Sequence, residues 1–239
     1  MSAAIVTGGS AGIGRAVVGA LLEKGYRVIS LDLQPPAVRH ERLEHLSVDL
    51  ADPAATRRVA DEISRAHPVT TLIHSAGTIR PALLPDVKLE DLEALVNLHL
   101  SSALLLLQSA LPSMKAAGFG RVVLVSSRAV LGLPTRTSYA TTKAGMLGMA
   151  RTWALELAPQ GITVNVVAPG PIETDNFHSI IPRGSAQVDQ VTQSIPVKRL
   201  GQAADVARAV LFFAHRDNGF VTGQVLYVCG GTSVGTLTL

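Results

Sequence analysis

The chain holds a single cysteine, Cys229, so no internal disulfide is expected, and with no companion thiol no cysteine zinc site is expected either. Seven histidines are present, none at the spacing of metal ligands, so no metal is expected. Aromatic residues make up 4% of the sequence. The 21 basic and 18 acidic residues are scattered, for a net charge of +3. Nucleic-acid surfaces need basic patches interleaved with stacking aromatics, so no nucleic-acid partner is expected. No apolar run approaches the roughly 20 residues of a membrane span; Leu104–Leu107 stops at Gln108. Residues 1–7 run straight into a strand pattern without a charged segment and apolar core ahead of them. A cytoplasmic protein with no membrane contact is expected.

What remains is 47% hydrophobic and 16% charged, the balance of a globular chain long enough for one substantial core. Near-continuously apolar strands alternate with helical periodicity: Ala4–Thr7, Arg27–Asp32, His45–Leu50, Val69–His74, Arg121–Val125, Gly161–Ala168 and Val225–Val228. That pattern predicts an α/β fold, a Rossmann-type doubly wound parallel sheet with helices on both faces. With no linker, repeat or low-complexity block, residues 1–239 read as one domain. Residues 89–117 read as one long helix kinked at Pro112. Residues 175–201 are irregular and read as a substrate lid.

Between the first strand and its helix lie Gly8, Ser10, Gly12, Ile13 and Gly14. Glycines there let the backbone approach a pyrophosphate, and the helix N-terminus offers it free N–H groups. Asp32 ends the second strand, where a carboxylate accepts from ribose hydroxyls and repels the extra phosphate of NADP, so NAD is the expected cofactor. Asp49 either reaches the adenine or caps the helix near Pro53. Asn97 lies among apolar neighbours and needs a partner, as a structural amide or as a holder of water. Ser126 and Ser127 lie at the carboxyl end of the fifth strand, where such sheets bind ligands. Tyr139 and Lys143 are four apart, on one face of a helix. An ammonium beside a phenol favours the phenolate and draws its pKa down toward working pH. A tyrosine so tuned exchanges protons with an alcohol or a carbonyl.

Taken in order, these pieces resemble the short-chain dehydrogenase/reductase family over nearly the whole chain. Thr7-Gly8-x-x-x-Gly12-Ile13-Gly14 is similar to the family's cofactor loop, and Ser75-Ala76-Gly77 to the end of its Asn-Asn-Ala-Gly segment. Ser127, Tyr139 and Lys143 match its catalytic serine and Tyr-x-x-x-Lys. Pro169-Gly170-Pro171-Ile172-Glu173-Thr174 resembles its nicotinamide-side loop. The resemblance implies that Tyr139 is the general acid/base and that Lys143 tunes it and holds the nicotinamide ribose. It implies that Ser127 bonds the substrate oxygen and that Asn97 holds a water linking Lys143 to solvent. Ile172 and Thr174 would hold the carboxamide. Leu33, Leu50, Pro169 and Gly170 would complete the cofactor contacts. Two departures stand out: His74 and Ser75 replace the two asparagines, and Cys229 stands where aspartate is usual.

The expected activity is NAD-dependent hydride transfer between the nicotinamide and a small, fairly apolar secondary alcohol or ketone. Val130, Leu131 and Leu133 would line the pocket, with Asn176, Phe177, His178, Ile180 and Ile181 from the lid, and His178 or Arg183 available for a polar group. An NADPH-dependent 3-oxoacyl reductase and a non-enzymatic dinucleotide sensor are the alternatives. A homo-tetramer is expected, assembled through apolar faces carrying Leu104, Leu105, Met146, Met149 and Trp153.

Overall fold

The computed structural model describes residues 3–234. β1 (Ala3–Thr7) is built of small and β-branched residues and is buried throughout, the composition of a strand covered on both faces. Next come α1 (Gly12–Glu23), β2 (Arg27–Asp32), β3 (Leu43–Ser47), α2 (Pro53–Ala66) and β4 (Val69–His74). α3 (Leu89–Val96) passes through a π-helical turn, Asn97–Ser101, into α4 (Ser102–Ala117). β5 (Gly120–Val125), a 3-10 turn at Arg128–Leu131, α5 (Thr137–Leu157) and β6 (Ile162–Pro169) follow. The chain closes through β7 (Ile172–Glu173), α6 (Asp175–His178), α7 (Ala186–Ser194), β8 (Gly201–Gln202), α8 (Ala203–Ala214) and β9 (Val225–Val228).

The main sheet is seven-stranded and parallel, in the order β3-β2-β1-β4-β5-β6-β9. The order reverses direction between β1 and β4, and a ligand crevice opens outside the carboxyl ends there. One face is covered by α2, α4 and α5, where Ile63, Leu106, Met114 and Met146 are buried. The other is covered by α1 and α8, through Val17, Leu21, Val210 and Phe213. The doubly wound single domain read from the strand pattern is the fold found.

Several expectations shift. The third strand ends at Ser47, so Asp49 and Leu50 lie in the following loop. α2 is capped by Asp52, whose carboxylate accepts from the N–H groups of Ala54 and Ala55, and not by Asp49. Asp49 closes its own turn by accepting from Ala51 N–H at 2.9 Å. Helical structure runs unbroken through Pro112, and the α-helical pattern is interrupted earlier, at the π turn. Residues 89–117 as a whole are long and apolar enough to cross a membrane by length and mean hydropathy of 1.5. They pack instead as a core layer, burying Ala103, Leu106, Leu107, Ala110 and Met114. The 175–201 stretch is not wholly irregular, since it contains α6 and α7. Met146 belongs to the core and is not part of an outward face.

Candidate active site

The glycine loop is shaped by what a side chain would strike. Gly8 has φ +68°, and a Cβ on it would stand 2.9 Å from the Ala76 Cα. A Cβ on Gly14 would lie 1.9 Å from the Gly8 carbonyl oxygen, inside contact distance. No side chain caps the N-terminus of α1 at Ala11, so its first-turn N–H groups remain available to an anion. A bare, positively polarised cradle is what a pyrophosphate needs, and this one fits it. Asp32 closes the far side: its carboxylate accepts from Ser10 N–H at 3.0 Å and from Gln34 N–H at 3.1 Å. Leu33 beside it is exposed, whereas Leu50 is buried.

Behind the loop, Thr7 ties β1 to β4. Its hydroxyl oxygen accepts from the N–H groups of Ser75 and Ala76, at 3.0 and 2.9 Å. Its one proton therefore goes to Nδ1 of His74, 3.0 Å away. His74 is fully buried, and burial first, with the Lys143 charge second, lowers its pKa to about 3. It is a neutral structural imidazole that holds the Ser75–Gly77 corner in place of an asparagine.

The reactive groups come together on α5. The Lys143 ammonium lies 5.8 Å from the centroid of the Tyr139 ring, one turn along, and donates to the Val125 carbonyl at 2.8 Å. Burial lowers the lysine pKa to about 7. Tyr139 is raised by burial, against the lowering by the Ser127 hydroxyl and the Arg136 charge. The expected downward pull of Lys143 is thus overridden: a dry site penalises the phenolate more than its polar neighbours favour it. Of the two serines, Ser127 is the one whose hydroxyl acts to lower the phenol pKa. The Ser126 hydroxyl donates to the Lys143 carbonyl at 2.8 Å and anchors α5 to β5.

Asn97 begins the π turn, and its amide oxygen accepts from the Ser101 hydroxyl at 3.3 Å. The side chain set against Tyr139 from this segment is His99, edge to face at 5.8 Å between centroids. The Thr142 hydroxyl points its proton at the carbonyls of Ser138 and Tyr139. His99 Nδ1, 2.8 Å from that oxygen, therefore donates to it. Nε2 is left as a buried acceptor without a partner among the described residues. A Cβ on Gly77 would lie 2.9 Å from that Nε2 and 3.2 Å from Lys143 Nζ, so the bare acceptor and the ammonium both flank Gly77.

Ser127, Tyr139 and Lys143 open onto a cavity of about 760 Å³ that Asn97, His99 and Thr142 do not line. Of the residues singled out from sequence, Ile13, Ser75, Gly77, Ser127, Tyr139, Lys143, Pro169, Gly170, Ile172 and Thr174 line it. Asn97, Asp32, Asp49 and Leu50 do not. Leu133, Asn176, Phe177, Ile180 and Ile181 line it as expected, while Val130, Leu131 and His178 do not. His178 Nε2 lies 3.7 Å from Glu173 and has no hydrogen-bond partner among the described residues, while Arg183 pairs with Asp175 at 2.8 Å on the exposed surface. Sequence reasoning missed Arg128 and Arg136, which do line the cavity. Their positions, one residue past Ser127 and three before Tyr139, were the available signal. Cys229, near the last strand, is buried with Sγ 3.1 Å from the Ser233 hydroxyl.

A family model described as enoyl-(acyl carrier protein) reductase matches residues 8–233. The (2S)-[(R)-hydroxy(phenyl)methyl]succinyl-CoA dehydrogenase subunit BbsD of Thauera aromatica is 35% identical, over 97% of this chain and 96% of its own. A 3-oxoacyl-[acyl-carrier-protein] reductase of Buchnera aphidicola is 33% identical, over 95% and 96%. Among solved structures, a short chain dehydrogenase family protein from Francisella tularensis superposes with a TM-score of 0.90 at 26% identity, covering 98% and 100% of the two chains. A putative NAD(P)-dependent gluconate 5-dehydrogenase from Beutenbergia cavernae with bound NADP gives 0.86 at 30% identity, covering 96% of each.

Proposed function

The chain belongs to the short-chain dehydrogenase/reductase family, and from that premise we propose that it is an NAD-dependent dehydrogenase of secondary alcohols, or reductase of the matching ketones. It is an oxidoreductase by family; the choice of NAD and the substrate are our reading. The observation that carries it is the convergence of Ser127, Tyr139 and Lys143 on one cavity that also reaches Ile13 of the glycine loop.

The dinucleotide, when bound, accepts or supplies the hydride. Gly8, Ser10, Gly12, Ile13 and Gly14 would hold its pyrophosphate, Asp32 and Leu33 its adenosine ribose, and Ser75, Ala76 and Gly77 the wall beside it. Pro169, Gly170, Ile172 and Thr174 would hold the nicotinamide end. The Ser127 hydroxyl orients the substrate oxygen toward Tyr139, whose phenol takes the alcohol proton or returns it to the ketone. Lys143, buried and donating to the Val125 carbonyl, would hold the nicotinamide ribose hydroxyls beside the phenol. Asn97 contributes by opening the π turn that carries His99 onto the phenol. Residues 175–201 would close over the substrate, a homo-tetramer would form through α4 and α5, and the enzyme would work in the cytoplasm.

A 3-oxoacyl reductase using NADPH is the second reading, favoured by the Buchnera relative's name and by the NADP in a solved neighbour. The Asp32 carboxylate, fixed by two backbone N–H groups beside Ser10, opposes a 2′-phosphate there. Binding of NAD+ and NADP+ to the wild type and to Asp32→Ala separates the two. We expect NAD+ to bind at least tenfold more tightly, and the variant to lose that preference. An NADP+ preference in the wild type would reject the Asp32 argument and favour the second reading.

A further inference from the structure

The cavity carries two arginine cations to which the proposed proton chemistry assigns no substrate contact. Arg128 follows Ser127 directly, and its Nε donates to the Thr232 carbonyl at 3.0 Å. That bond fixes one edge of the guanidinium and leaves its two Nη groups free of hydrogen bonds to the described residues. Arg136 immediately precedes α5, three residues before Tyr139, and its Nη1 turns back to the hydroxyl and carbonyl of Thr135. Thr135 itself holds φ +66°, a conformation uncommon for a residue with a side chain. Both arginines are half-buried and both line the cavity with Lys143. No aspartate or glutamate lines it, and among the described residues neither arginine is in an ion pair. Like charges held in one partly dry space repel and cost free energy until an anion enters between them. Leu133, Phe177, Ile180, Ile181 and Val191 supply an apolar wall.

We propose that the substrate is a hydroxy acid, or its keto acid, with its apolar body against the lid and its carboxylate bound by Arg136, with Arg128 as the second cation of the cavity. This rests on the reading of the cavity as an alcohol–ketone site and narrows that reading to one class. A guanidinium offers a planar fork of donors that matches a carboxylate, and the pairing is strong where water is scarce. A small substrate without a charged group leaves both forks without a partner, and a thioester is neutral at the position the carboxylate would fill.

The test supplies the enzyme and each dinucleotide in turn with racemic 3-hydroxyoctanoate, its methyl ester and its N-acetylcysteamine thioester. We expect kcat/KM for the acid to exceed that for the ester at least tenfold. Arg136→Met should cut the acid-to-ester ratio by about 10- to 100-fold, the loss of a charge-assisted pair. Arg136→Lys should restore part of it, and Arg128→Met should lower it less. Dinucleotide binding by each variant reports that it is folded. Ester or thioester turned over as well as the acid, or a ratio that both methionine variants keep, would overturn the carboxylate site and leave the alcohol–ketone reading standing. If nothing is turned over while dinucleotide still binds, that reading fails. Equilibrium dialysis of the acid against the dinucleotide complex then decides the site separately: binding lost in Arg136→Met supports it, and no binding rejects it.

Discussion

Thr7 shows how much of the site depends on one hydroxyl. It accepts two backbone N–H groups and gives its only proton to His74. Thr7→Val keeps the shape and strips all three bonds inside the sheet, where water does not replace them. We expect about 2–4 kcal/mol of lost stability, from a few unsatisfied buried groups at about 1–3 kcal/mol each with partial relaxation. Urea unfolding measures it, and a loss under about 1 kcal/mol would refute the account. Lys143 makes a claim about pH. Its folded pKa near 7 lies below its unfolded 10.5, so between those values the unfolded chain binds the extra proton. Its contribution to stability therefore rises as pH climbs from about 7 to 10.5, and its penalty is full below 7. In cofactor-free protein, wild type should gain stability relative to Lys143→Met over that window. A difference flat with pH would rule the shift out.

Two short segments, a glycine turn and a π turn, give the frame its site. The turn from β1 into α1 works because Gly14 has no side chain, a Cβ there standing 1.9 Å from the Gly8 carbonyl oxygen. Gly14→Ala must push the turn open and withdraw its N–H groups from a bound phosphate. We expect dinucleotide affinity to fall at least tenfold, read by titration, while far-UV circular dichroism stays near wild type. The π turn at Asn97–Ser101 adds one residue to the helical ring and rotates the helix beyond it. It is the device that turns His99 under Tyr139 while Asn97 bonds within its own turn.

The assembled chain leaves apolar surface on the helices expected to meet a partner. Leu104 of α4 is 39% exposed and Leu155 of α5 is 82% exposed, although Met146 is spent in the core. Exposed apolar side chains on both helices suit burial against another chain. Sedimentation equilibrium should give a tetramer near four times 25.0 kDa, and Leu155→Glu should weaken it. A monomer at micromolar concentration would refute the assembly.

Periodic, local features are legible in the amino-acid sequence by itself. Short apolar and β-branched runs mark parallel strands, so the buried Val69–His74 and the partly exposed edge strand Val225–Val228 can be read from their residues with the bounds they have in the fold. A strand–glycine–helix turn is spelled in adjacent residues, and Tyr139 with Lys143 is spelled by one helical turn. Contacts between distant segments are not legible in this way. His99 and Tyr139 are 40 positions apart and meet only through a π turn, which no hydrophobic period marks. The direction of the Tyr139 pKa is decided by the tertiary structure for a related reason: burial is a property of all the elements packed around a group, and here it outweighs the neighbouring charges and hydroxyl. The arginines follow the same rule. Charge is visible in a sequence, but whether a carboxylate lies opposite it is settled only when the chain closes around the cavity.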